Sequence, residues 1–137
     1  MTALISCSKD DSSEEVVDTK DKIVNYKTFN RQRIAFSNEY QQTATQAFNL
    51  PTNSEEVKTI KMFLQLDCPT GGCNIWDMYA NVQAKDKTTG DWYEIARYIT
   101  PYGRGTGVLE RGLEVDVTDF KSVLKGNTEL RVFVEVW

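Results

Sequence analysis

The chain of 137 residues suffices for one domain burying about two thirds of its unfolded surface, and is too short for two. Its 16 basic and 20 acidic residues leave a net charge of −4, which excludes the basic face a nucleic-acid binder sets against phosphate. Histidine is absent, so imidazole acid–base chemistry and His-ligated zinc or copper are excluded from this chain's own residues, and proton transfer falls to carboxylates.

Met1 to Cys7 is too short, and lacks the basic residue, to be a whole signal peptide, although it fits the end of one. Leu4-Ile-Ser-Cys7 resembles a lipoprotein lipobox, and Ser8-Lys-Asp-Asp11 resembles the acidic surface-export tract of Bacteroidetes lipoproteins, which would make Cys7 the lipidated residue. The plainer reading is an accidental tetrapeptide on a tail. Residues 8–22 are mostly charged, with Val16 and Val17 the clearly apolar members, too few to offset the entropy of ordering. Residues 1–22 therefore read as a signal remnant and a disordered acidic tether, and residues 23–137 as the folded domain.

From Ile23 onward, short runs of β-branched and aromatic residues alternate with Gly, Pro and polar punctuation, the pattern of an all-β sandwich or barrel. Ile23 to Phe29 predicts a first strand, Arg31 to Tyr40 a loop or short helical turn, and Thr43 to Leu50 a second strand ended by Pro51. After a turn at Ser54-Glu55-Glu56, Val57 to Leu66 predicts a strand with Ile60, Met62, Leu64 and Leu66 inward. Met78 to Lys85 follows, with Met78, Ala80, Val82 and Ala84 on one face and Tyr79, Asn81 and Gln83 on the other. The turn Lys87-Thr-Thr-Gly90 joins it in a hairpin to Trp92 to Thr100.

Tyr102 to Gly107 holds three glycines and reads as a loop. Leu109 to Val117 is the next predicted strand, and Thr118 and Asp119 offer caps to one or two helical turns ending near Leu124. The last strand runs from Thr128 to Trp137, with Leu130, Val132, Val134 and Val136 opposite Glu129, Arg131, Phe133, Glu135 and Trp137. Seven strands are predicted in all. The last reaches the terminal residue, which leads us to expect an open sheet edge awaiting a further strand.

Two carboxylates stand out. Asp77 follows Trp76 at the mouth of a strand, after a loop that a bond between Cys68 and Cys73 would close. So small a loop gains little closure entropy, so the bond would shape the neighbourhood of the Trp-Asp pair more than stabilise the whole. Glu135 shares its strand face with Phe133 and Trp137, and two aromatics on a nominally solvent-facing side imply a ligand cleft or a docked domain, where a carboxylate would be partly desolvated. The bland alternatives are a solvated turn aspartate and an ordinary strand glutamate.

Several segments resemble the peptide:N-glycosidase F family: Val57-Lys-Thr-Ile-Lys-Met-Phe63, Trp76-Asp-Met-Tyr-Ala-Asn-Val82, Lys87-Thr-Thr-Gly-Asp-Trp-Tyr-Glu-Ile95, Ile99-Thr-Pro-Tyr102 and Arg111-Gly-Leu-Glu-Val-Asp-Val-Thr-Asp-Phe-Lys-Ser122. The resemblance implies an antiparallel jelly-roll β-sandwich, the first of two packed side by side, with the active site in the cleft between them. It implies hydrolysis of the amide that links an N-glycan to asparagine in a peptide or glycoprotein, without a metal or other cofactor. Asp77 then matches the principal catalytic carboxylate, Glu135 a second acidic site residue, and Trp137 a sugar-lining tryptophan, with Trp76 and Met78 beside them as substrate contacts.

Met78 departs from the family's usual arginine, which removes a charged donor from the neighbourhood of Asp77. The family's remaining site residues belong to a second jelly roll that this sequence lacks, so we expect the chain to be inactive alone and its first jelly roll to lack a last strand. The rival reading is a non-catalytic glycan- or glycoprotein-binding domain at the cell surface. A copper monooxygenase, built on a related paired jelly roll, is set aside for want of histidine. The expected location is exported: an outer-membrane or cell-surface lipoprotein held only by a lipid anchor, or a periplasmic or secreted protein.

Overall fold

The computed structural model describes residues 22–103 and 112–136. Cys7, most of the predicted tether, residues 104–111 with the start of one predicted strand, and Trp137 lie outside the described residues. Among the described residues there are six strands: β1 (Thr43–Asn49), β2 (Lys61–Leu64), β3 (Tyr79–Lys85), β4 (Trp92–Ile99), β5 (Leu113–Asp116) and β6 (Asn127–Val134). Two 3-10 turns, Ser54–Glu56 and Thr118–Phe120, are the only helical elements among the described residues. No helix among them is long and apolar enough to cross a membrane.

The strands form two antiparallel sheets, one of four strands in the order β1-β6-β3-β4 and one of two, β2 with β5. Because side chains alternate across a strand, Ala80, Val82 and Ala84 of β3 and Leu130 and Val132 of β6 are carried to one face, where all are buried. Met62, Leu64 and Val115 of the small sheet pack onto that face, with Phe48, Phe120 and Val123 closing its sides. The result is the antiparallel sandwich that the alternation pattern predicts.

Three local features set the geometry. The β3–β4 hairpin turns on Gly90, whose φ of +82° lies in the left-handed region and whose N–H bonds to the Asp86 carbonyl at 2.8 Å. A bulge in β4 interrupts the pairing between Val82 and Gln83, leaving Ile95 without a cross-strand partner and burying both Ile95 and Ala96. Gly112, at φ +62°, lets the chain pass against β2: a Cβ there would stand 2.5 Å from the Leu64 carbonyl oxygen and 2.7 Å from the Phe63 ring.

The structure corrects several expectations. Residues 23–29 form no strand; a β run needs a hydrogen-bonding neighbour, and no strand among the described residues pairs with this segment, although Phe29 packs edge-on against Phe48 at 5.1 Å. The strand predicted over Val57 to Leu66 contracts to Lys61–Leu64, which pairs with Leu113–Asp116 of β5. The turn after β5 is held by Asp116 rather than by Asp119. The Asp116 carboxylate accepts from the Thr118 N–H at 2.9 Å and from its hydroxyl at 2.6 Å, and this holds its pKa below the ordinary aspartate value. The Thr118 hydroxyl in turn accepts the Ile60 N–H at 2.9 Å, tying the turn to the start of β2.

Candidate functional site

The candidate residues converge where β3 begins and β6 ends. Cys68 and Cys73 are joined by a disulfide with Cα atoms 4.8 Å apart, and the Gly72 N–H bonds to the Pro69 carbonyl within the loop it closes. The loop is fastened at its base. The Asp67 carboxylate accepts the Cys68 N–H at 2.9 Å and pairs with Arg31 at 2.9 Å, linking the loop to the segment that precedes β1. Both ionic partners are exposed, so the pair orients the loop more than it stabilises the fold.

Beyond the loop, the chain is threaded onto the end of β4 by successive bonds. The Gly103 N–H reaches the Ile75 carbonyl at 2.8 Å, the Thr100 N–H reaches the Met78 carbonyl at 2.9 Å, and the Met78 N–H reaches the Thr100 hydroxyl at 2.8 Å. These clamp residues 75–78 on both sides of Trp76 and Asp77. Trp76, 51% exposed, meets Tyr102 edge-on with ring centroids 6.0 Å apart, forming an accessible aromatic corner beside the exposed Asp77. Sequence reasoning did not single out Tyr102; its signal was the Ile99-Thr-Pro-Tyr102 segment, read only as part of the family resemblance.

Glu135 arrives at the same place from β6. Its N–H donates to the Tyr79 carbonyl at 2.9 Å, so Glu135 sits one strand across from the entry to β3, while the Gln42 side chain holds the following Val136 carbonyl. Two expectations change here. Glu135 lies just past the end of β6 and is exposed rather than desolvated, since no described residue covers it. Met78, expected to touch substrate, is 2% exposed, because the alternation that sends Asp77 and Tyr79 to one side sends Met78 to the core side. Its place is in packing. Trp137, the remaining expected contact, lies outside the described residues.

The sheet face that begins at Asp77 and Glu135 continues into a hydrogen-bonded group that sequence reading did not anticipate. The Tyr79 hydroxyl donates to Glu94 at 2.8 Å, and the Asn81 amide donates to the Tyr79 oxygen at 2.8 Å and to Glu94 at 3.0 Å. The Arg97 Nε bonds the other Glu94 oxygen at 2.6 Å while its guanidinium lies 5.2 Å from the centre of the Tyr79 ring. Glu94 is held below the ordinary glutamate pKa, chiefly by the bond from Arg97 and further by Tyr79 and Asn81, against a smaller opposing effect of burial.

The bulge explains why this group was illegible. Residues three apart on a regular strand face opposite ways, and the extra residue Ile95 brings Glu94 and Arg97 onto one face. Farther along the same face, the Arg131 Nε donates to Gln83 at 2.8 Å with its guanidinium 4.1 Å from the centre of Trp92, and Lys85 pairs with Glu129 at 2.9 Å. Among the described residues no three His, Cys, Asp or Glu side chains group as metal ligands. Chemically, the site end offers two accessible carboxylates and an aromatic corner: proton acceptors, hydrogen-bond acceptors and a flat apolar surface of the kind that packs on a sugar ring.

No protein-family model matches the chain. Over its whole length it is 48% identical to the peptide-N(4)-(N-acetyl-beta-D-glucosaminyl)asparagine amidase F of Elizabethkingia miricola, of which it covers 42%. Its fold is similar to the structure of PNGase F, a glycosylasparaginase from Flavobacterium meningosepticum, with a TM-score of 0.79 and 55% identity across 85% of this chain and 38% of that one. A recombinant PNGase F is matched with a TM-score of 0.77 and 55% identity across 83% of this chain and 36% of the other. The chain thus spans about two fifths of the length of these relatives.

Proposed function

We propose that this chain, which belongs to the peptide:N-glycosidase F family, supplies one wall of the active cleft of an amidase that hydrolyses the bond between an N-glycan and asparagine. The observation that carries this reading is 48% identity along the entire chain, together with the position of Asp77 just before β3 and of Glu135 just after β6, neighbouring strands of one sheet. Asp77 acts as the general base toward the attacking water, or fixes water and amide in a reactive arrangement, and Glu135 organises the same hydrogen-bond network. Trp76, with Tyr102 against it, gives the first sugar a flat apolar surface, and Trp137 extends that surface.

Both carboxylates are exposed in this chain, whereas a carboxylate gains basic strength when water is excluded. A second wall, supplied by polypeptide outside these residues, completes the cleft, and the chain alone is inactive. Met78 stands where the family usually has arginine and is buried on the core side, so position 78 supplies no cation beside Asp77. The Cys68–Cys73 disulfide supports an exported protein, because such bonds persist in oxidising compartments, and the lipobox-like Leu4 to Cys7 supports anchoring through a lipid on Cys7.

The test is a chimaera in which this chain replaces the matching portion of the Elizabethkingia amidase. Glycopeptide turnover is read by mass as asparagine converted to aspartate. Asp77→Asn is expected to abolish turnover and Glu135→Gln to reduce it strongly, with the folding of both unchanged. Normal turnover by Asp77→Asn would overturn the assignment, and glycan binding without hydrolysis in the unaltered chimaera would favour a binding module instead.

A further inference from the structure

Beside Asp77 a side chain completes the strand ladder. Residues that face each other across a hydrogen-bonded site of an antiparallel pair exchange both of their N–H to carbonyl bonds. Met78 and Thr100, one position beyond the Tyr79–Ile99 pair, keep half of that exchange: the Thr100 N–H donates to the Met78 carbonyl at 2.9 Å. The Met78 N–H donates instead to the Thr100 hydroxyl, at 2.8 Å. β4 ends here, at Ile99, and Pro101 follows, with no N–H of its own and a ring that keeps the preceding residue extended. A ladder bond that any residue makes through its backbone has become one that needs a hydroxyl at position 100.

The neighbouring bonds do not depend on that hydroxyl. A peptide unit is planar from one Cα to the next, so holding its N–H also directs the Cα before it. The Trp76 N–H donates to the Asn74 side chain at 3.1 Å and the Ile75 carbonyl accepts from Gly103 at 2.8 Å, so the peptide leading into Trp76 is held at both ends without Thr100. Glu135 is likewise set independently, by its bond to the Tyr79 carbonyl at 2.9 Å. The Thr100 hydroxyl holds the peptide between Asp77 and Met78, whose plane contains the Asp77 Cα. None of these bonds engages the peptide between Trp76 and Asp77, so the plane that carries Asp77 takes its direction from Thr100.

We propose that Thr100 is a positioning residue: its hydroxyl fixes the direction of the Asp77 carboxylate relative to Glu135, and so the rate of the chemical step in the amide hydrolysis read from this site. The inference rests on that functional reading and deepens it. Thr100→Val keeps the β-branched shape and removes the acceptor, leaving the Met78 N–H, on a residue 2% exposed, without its partner. The peptide then turns to find another, and Asp77 turns with it. Trp76 and Glu135 keep their own bonds, so substrate still binds while Asp77 loses its aim. Thr100→Ser restores the acceptor.

The test uses the isolated chain and the chimaera described above. In the isolated chain, Thr100→Val should speed hydrogen exchange at the Met78 amide roughly tenfold or more and leave amides within β3 unchanged. In the chimaera, Thr100→Val should lower kcat roughly ten- to a hundredfold with KM within about threefold of the parent, and Thr100→Ser should return kcat to within about threefold. Thr89→Val is the control, since the Thr89 hydroxyl accepts the Asp91 N–H at 3.2 Å at the far end of the same hairpin, and kcat should not change. Parent kcat in Thr100→Val, where Asp77→Asn has none, would overturn the role of Thr100 and leave the amidase reading standing. So would equal losses in the Val and Ser variants, a loss carried wholly by KM, or an unaltered Met78 amide. Normal turnover by Asp77→Asn would overturn both. If Thr100→Val fails to fold, Thr100→Ala, which also lacks the acceptor, carries the same comparison.

Discussion

Gly112 is the position where one added methyl group should do most harm. Two costs combine in Gly112→Ala. At φ +62° an L side chain meets its own following carbonyl, a penalty of about 1–2 kcal/mol. The new Cβ would also stand 2.5 Å from the Leu64 carbonyl oxygen and 2.7 Å and 2.9 Å from two atoms of the Phe63 ring. The ring can swing aside, but the carbonyl belongs to the β2 backbone, and relieving such overpacking costs about 1–3 kcal/mol. The sum is about 2–5 kcal/mol, a large share of the roughly 5–15 kcal/mol that holds a domain together.

Gly90→Ala is the matched control, because Gly90 has φ +82° and nothing within 4 Å of the added Cβ, so only the backbone cost of about 1–2 kcal/mol applies. Urea unfolding followed by tryptophan fluorescence compares the two. With a slope of about 1–3 kcal/mol per molar urea, Gly112→Ala should unfold at least roughly 0.3 M below Gly90→Ala. Coincident midpoints would refute the close approach of residue 112 to β2, and with it the placing of the small sheet.

Other expectations follow from single contacts. Replacing Cys68 and Cys73 by serine should cost about 2 kcal/mol, the loop-entropy value for so short a closure, read as a fall in melting temperature; unchanged melting with altered fluorescence of Trp76 would assign the bond to local shape alone. Glu94 has its pKa lowered in the fold, so the stability it adds is fully present above the unfolded glutamate value near pH 4.3 and is lost as pH falls through the lower folded value. The gap in melting temperature between the parent and Glu94→Gln should therefore be widest near neutrality and shrink from about pH 4 downward. A gap that widens on acidification would mean that Arg97, Tyr79 and Asn81 do not hold the charged form.

What could be read in the sequence divides along one physical line. β3 and β6 were legible because each buries one face, and Ala80, Val82, Ala84, Leu130 and Val132 record that in a two-residue period. Residues 23–29 carry the same composition and form no strand, because pairing depends on a neighbour that no local pattern encodes. At the site, Asp77 and Trp76 were legible from their motif. The burial of Met78 followed from the very alternation already assigned to that strand, although the family pattern drew attention to it as a contact. The Tyr79, Asn81, Glu94 and Arg97 group was hidden, since its members come from two strands and one of those changes phase midway.

That change of phase divides β4 into two independent lengths. Toward the hairpin, the even-numbered Trp92 and Glu94 look outward; toward the site, the odd-numbered Arg97 and Ile99 do. Ile95 is the spacer between the two parities. Deleting it would be unlike any substitution: with the hairpin fixed, Ala96 would follow Glu94 directly in a regular ladder, the bulge would close, and Arg97 would keep its outward face while two adjacent buried residues became one. The residue that joins the two lengths of β4, and lets Glu94 and Arg97 share a face three positions apart, is thus a buried aliphatic side chain that touches none of the chemistry.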